Sequence, residues 1–136
     1  LCSQGCRVPA MPGVDPEMRD WSMYEMLEHN RIVNVELTQM MQSVLDTGRY
    51  ETDFDAKHDV LPQGEVGASV VAEFQESSEA YLHVVRKFPK LKGVGSMPHP
   101  VFGQFDAHKY FCMFGFHLAL HRRQAEKICS ILKAGR

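Results

Sequence analysis

Phe116-His117-Leu118-Ala119-Leu120-His121-Arg122-Arg123-Gln124 sets two histidines four positions apart in a segment with helical periodicity. Tyr110, Met113, Phe114, His117, His121 and Gln124 fall on one face of it. Residues four apart on a helix lie one above the other. Two imidazoles so placed can share one metal ion without bending the backbone. A second stretch, Trp21-Ser22-Met23-Tyr24-Glu25-Met26-Leu27-Glu28-His29, offers a third imidazole among apolar and acidic neighbours. The competing reading is that all three are ordinary core or surface histidines.

Outward from that segment, Asp106 reads as an N-cap and the last helix runs to about Lys133. Gly93, Gly95, Pro98, Pro100 and Gly103 make residues 90 to 105 a crossing loop without a strand. Upstream, Gly67 to Phe88 is a helix with Val70, Val71, Phe74, Tyr81, Val84, Val85 and Phe88 as its buried stripe, closed by Pro89. Residues 49 to 66 are polar and hold Pro62 and Gly64, which makes a loop long enough to be functional. Asp20 reads as the N-cap of a helix from Trp21 to about Asp46, with Met26, Val33, Leu37, Met40, Met41 and Val44 at helical spacing and Gly48 as its stop. Residues 1 to 19, broken by Gly5, Pro9, Pro12, Gly13 and Pro16, form an irregular arm, and residues 20 to 136 form one helical domain.

The expected fold is all-α: three long helices in a shallow antiparallel bundle, with the long loops at its ends. That pattern is one helix short of a four-helix bundle. Either an upstream helix supplies the fourth element, or a partner subunit covers the open apolar face, and a homodimer is the expected form.

The formal net charge of −2 comes without any Lys/Arg-rich block, so nucleic-acid binding through phosphate neutralisation is not expected. No apolar run reaches the length of a membrane span. Four cysteines, none in a Cys-x-x-Cys pair, point to a reducing, cytoplasmic setting. Cys112 and Cys129 read as small buried hydrophobes of the last helix.

Four short groups of residues then stand in a familiar order. Trp21-Ser22 is followed by Leu27-x-His29, then by His99-Pro100-Val101-Phe102-Gly103, then by His117-x-x-x-His121-x-x-Gln124. This arrangement, spanning Trp21 to Gln124, resembles the DinB/YfiT-like superfamily of metal-binding four-helix bundles, and most closely a bacterial branch with an HP-x-F-G turn before the last helix. The resemblance implies an up-down four-helix bundle and one divalent metal ion held by His29, His117 and His121. The chain departs from the family at its N-terminus, where only the broken arm stands in place of the family's first helix, and one wall of the site is left undefined.

Three neutral imidazoles suit zinc, nickel or iron, and three protein ligands leave a coordination position for water or substrate. Superfamily members include thiol-dependent transferases and isomerases, so the resemblance implies activation of a low-molecular-weight thiol. The expected function is a metal-dependent thiol transferase or hydrolase-like enzyme acting on a small molecule. The alternative is a non-enzymatic metal-binding, ligand-binding or sensing bundle. Haem ligation is a weaker third reading, since no Cys-x-x-Cys-His motif is present.

Glu25, four residues before His29, is the candidate base or orienting acid, against the plainer reading of a solvated helix-edge carboxylate. His99, Tyr110 and Gln124 are candidate pocket or ligand-orienting residues, and His58 is singled out by its long loop. His83 and His108 read as exposed.

Overall fold

The computed structural model describes residues 2–135, so the outermost residues of the arm and of the helical domain lie outside the description. Among the described residues the chain forms three α-helices, α1 (Met23–Thr47), α2 (Val70–Arg86) and α3 (Ala107–Ala134), and two three-residue strands, β1 (Met97–His99) and β2 (Gly103–Phe105). The chain is mostly helical.

α1 and α3 begin where short polar side chains satisfy their free amides. Ser22, not Asp20, caps α1: its hydroxyl accepts from the Glu25 amide at 3.2 Å, and the Glu25 carboxylate accepts from the Ser22 amide at 2.7 Å. This reciprocal box satisfies two amides at once, which a lone Asp20 does not do. Asp20 instead ends a short 3-10 helix (Pro16–Asp20) and pairs with Arg7 at 2.6 Å. Gly48, with φ of 75°, closes α1 by donating its N–H to the Val44 carbonyl. Asp106 caps α3 as the sequence indicates, accepting from the Lys109 amide at 2.9 Å. The start of α2 moves from Gly67 to Val70, behind a turn at residues 67–69.

The helices are not arranged up-down. Arg31 reaches Glu73, and Asn34 donates to both Ser77 and Ser78. The offset between partners stays near constant, so α1 and α2 run parallel. The segment between them is therefore a crossover: α1 is about 37 Å long at 1.5 Å per residue, and the chain travels back along it before α2 begins. The expected position of this loop at a bundle end is corrected accordingly. α3 runs antiparallel to both. His29 meets His117 and His121, Met40 lies near Tyr110 in one core cluster, and Tyr81 stacks on Phe111 and Phe114.

Two apolar clusters hold the fold. The larger joins Met41, Val44, Tyr81, Val84, Val85 and Phe114 at the end where α1 and α2 finish. The smaller joins Val8, Val14, Met18, Trp21, Met26 and Ile128 at the opposite end. Each fully buried side chain of this size contributes about 1.5–3 kcal/mol. Between the clusters, the Asn34 side chain ties α1 to α2 through the two serine hydroxyls at 3.0 and 2.9 Å.

The N-terminal arm is irregular but packed. Val8 exchanges hydrogen bonds with Arg19, its amide donating to the Arg19 carbonyl and its carbonyl accepting from Arg19 Nε. The arm lies close enough to α3 that a Cβ on Gly13, which has φ of 75°, would fall 2.3 Å from Leu120 Cδ1. It thereby supplies the wall the sequence left undefined. Residues 97–105 form a hairpin in place of the expected strand-free loop, with Met97 paired to Phe105 and His99 to Gly103. A two-stranded ribbon consists only of edges, so it tolerates Pro98. Cys112 and Cys129 are exposed on α3 instead of buried, because the buried stripe follows Tyr110, Phe114, His121, Gln124 and Ile128.

Candidate metal centre

Along α1, His29, Val33, Leu37 and Met40 share one face; along α3, Tyr110, Met113, His117 and His121 do. The two faces enclose a cavity of about 570 Å³. The crossover loop, the hairpin and the arm complete its walls through Tyr50, Phe54, Val60, Pro98 and Met18. At one end stand His29, His117 and His121, whose potential ligand atoms all lie within 4.8 Å of one another. His29 Nε2 is 3.1 Å from His117 Nε2 and 3.1 Å from His121 Nε2.

Hydrogen bonds on the far side of two of the rings fix which of their nitrogens face inward. His29 Nδ1 lies 2.9 Å from the Val60 carbonyl oxygen. A carbonyl only accepts, so the neutral His29 ring carries its proton on Nδ1 and turns a bare lone pair on Nε2 toward the cluster. His121 is fixed by a longer chain. Gln124 Nε2 donates to the Met18 carbonyl at 2.9 Å, which leaves Gln124 Oε1 to face His121 Nδ1 at 2.8 Å. His121 therefore donates from Nδ1 and also presents Nε2 unprotonated. His29, His121 and Gln124 are almost fully buried, at 3%, 2% and 0% exposure.

Two lone pairs at 3.1 Å cannot hydrogen-bond to each other. A proton between them would resolve the clash, but the surroundings oppose it. Burial, then the positive charge of a protonated His121, push the His29 pKa down to about 4 against the upward pull of the Val60 carbonyl. Burial likewise lowers His117, with further contributions from His121 and His29, and lowers His121 despite its bond to Gln124. The cluster is built to stay neutral. Two neutral imidazoles with facing Nε2 lone pairs, each backed by an oxygen acceptor at Nδ1, and a third whose Nε2 lies 3.1 Å from that of His29, make a donor set that a divalent transition metal takes. The two 3.1 Å separations from His29 suit nitrogens at about 2.0–2.1 Å from one ion.

The other sequence candidates divide. Gln124 backs His121 directly. Tyr110 lines the cavity, and its hydroxyl donates to the Pro98 carbonyl at 2.7 Å. His99 also lines the cavity but at the hairpin end, away from the three histidines. Its ring stacks on Phe102 and Phe105, and its Nδ1 accepts from the Val101 and Phe102 amides at 3.1 Å each. Glu25 does not enter the cavity, because the Ser22 amide holds its carboxylate at the start of α1. His58 points to solvent and pairs with Asp55 at 2.6 Å.

Sequence reasoning missed the two backbone carbonyls, Val60 and Met18, that set the imidazole tautomers. A carbonyl has no residue-type signature, so no pattern could have named them. It also missed Trp21, whose ring centroid lies 5.2 Å from that of His29 and covers it, and the Glu36 carboxylate in the cavity wall, which receives a hydrogen bond from the Tyr50 hydroxyl. Glu36 had a signal: it stands seven residues after His29, on the same helical face.

Compared with protein-family models, curated proteins and solved structures, the chain finds no match.

Proposed function

We propose that this chain is a DinB-like protein holding one divalent metal ion on His29, His117 and His121. The observation that carries the reading is the pair of facing Nε2 lone pairs, each set by an oxygen acceptor behind its ring. Nothing in a merely structural histidine cluster requires two buried acceptors to face each other at 3.1 Å.

The reaction class rests on the ligand count together with the resemblance to thiol-dependent members of the superfamily. A bound ion would supply Lewis acidity at a position left open to the cavity, lowering the pKa of a thiol or water placed there. The chain's own residues do the rest. Val60 and Gln124 hold the two imidazoles in register, Trp21 covers His29 on one side, and the apolar walls offer contact to a small molecule seated against the histidines. The proposed activity is a thiol transfer or a hydrolase-like reaction on a small molecule; zinc, nickel and iron are the candidate ions.

The family reading supplies a fourth helix where this chain shows a packed arm. A second groove, lined by Met26, Leu27, Phe74, Leu118 and Ala119, lies between the helices, and homodimerisation through such a face belongs to the same proposal. Its check is the solution mass.

The enzymatic reading is tested by turnover of a panel of electrophiles with several biological thiols, using metal-loaded protein, metal-free protein and His29→Ala. Loss of turnover confined to the last two supports it. Equal rates in all three leave the non-enzymatic binding or sensing bundle as the better description.

A further inference from the structure

The cavity has two unlike ends. The imidazoles close one. Glu36 stands seven residues along α1 from His29, about 10 Å at 1.5 Å per residue, and lines the cavity together with Tyr50 and Glu51. The rest of the wall is largely apolar, through Val33, Leu37, Met40, Met97, Met113 and Phe54. Glu36 and Glu51 are the carboxylates on the cavity surface, and among the described residues no lysine or arginine lines it. Neither carboxylate is in a salt bridge among the described residues. The Tyr50 hydroxyl donates to one Glu36 oxygen, Oε1, and no lysine or arginine bonds either oxygen. Tyr50 is itself held protonated: burial raises its pKa first, and the bond to Glu36 raises it further.

We infer that this cavity selects a ligand with an apolar body of about 10 Å that carries an ammonium group at the Glu36 end and a metal-binding donor at the histidine end. The inference rests on the proposed metal centre for the donor end only. A carboxylate-rich thiol would have to place its negative charge in a partly desolvated wall beside two carboxylates, with no cation of the protein to receive it. An ammonium group finds the Glu36 carboxylate already oriented by Tyr50, and charge-assisted hydrogen bonds are the stronger kind. Selection here is by repulsion as much as attraction.

The test is calorimetric titration of the native chain with two probes of equal length, 6-aminohexane-1-thiol and 6-mercaptohexanoate, each with zinc-loaded and with metal-free protein. The aminothiol is expected to bind about tenfold or more tightly than the mercapto acid in both states, the range of one hydrogen bond to a charged group. Glu36→Gln keeps an acceptor for Tyr50 and is expected to erase most of that preference; Glu51→Gln is expected to erase a smaller part. Equal affinity for the two probes, tighter binding of the mercapto acid, or no binding of either in any state overturns the inference. Because the preference is also read without metal, a failure of zinc loading counts against the metal centre alone. If Glu36→Gln does not fold, the two-probe comparison on the native chain still decides.

Discussion

His29 Nε2 and His121 Nε2 face each other at 3.1 Å, although each ring spends its proton on an oxygen behind it. That relationship connects distant parts of the chain. The Val60 carbonyl comes from the crossover loop, Gln124 from α3 and the Met18 carbonyl from the arm, and together they set the chemistry of two imidazoles.

Gln124 is expected to matter more than its distance from an ion suggests. Gln124→Leu leaves His121 Nδ1 and the Met18 carbonyl without partners in a buried site. Removing such a backing residue typically lowers metal affinity by about 10–100-fold. Competition titration with a chromophoric chelator should show that loss, and unchanged affinity would mean that the Gln124 bond does not orient the ring.

The metal-free protein should lose stability on the acid side of neutrality. An imidazole held below its ordinary value stays neutral in the folded state, while the unfolded chain takes up a proton near pH 6.5. Stability is therefore fully present above about pH 6.5 and falls as the pH drops toward 4. For His29, shifted to about 4, the loss is on the order of 3 kcal/mol. Denaturant melts of native chain and His29→Phe across that range should show a shallower dependence in the variant. Identical slopes would place the acid sensitivity elsewhere.

Asn34→Ala removes both hydrogen bonds that tie α1 to α2 in the interior. A cost of about 1–3 kcal/mol in unfolding free energy is expected. Metal retention should survive, since Asn34 does not line the histidine cavity. A variant that kept full stability would mean that the serine contacts contribute little.

Glu25→Ala breaks the capping box of α1. The expected result is a stability loss of about 1 kcal/mol with no change in metal affinity or in the pH profile of any turnover. A selective loss of turnover in a stable variant would restore Glu25 to the chemistry.

How much of this was legible depends on the kind of information each feature carries. The three helices follow from apolar residues at helical spacing, and Asp106 and Gly48 mark boundaries because their side-chain chemistry is local. The His117–His121 pair is local in the same way. The direction of α2 is not: it depends on whether residues 49–69 turn back at once or run the length of α1, and a polar loop reads alike in both cases. The arm looked unstructured because Gly and Pro interrupt every helical pattern. Val8 and Val14 are buried outside any helix, and Met18 is buried on the short 3-10 helix. The hairpin was hidden by Pro98 and Pro100, which argue against strands in a sheet interior but not in a ribbon. At the site, the imidazoles could be named from sequence, whereas the carbonyls behind them could not.

The most direct test of the central claim is the metal content of the chain after equilibration with zinc and removal of excess, beside the double variant His117→Ala/His121→Ala. The account predicts one ion per native chain and none above background in the variant, with helical circular dichroism kept, because the apolar clusters and not the histidines hold the fold. A native chain that retains no ion, or a folded double variant that retains as much as the native chain, would contradict it.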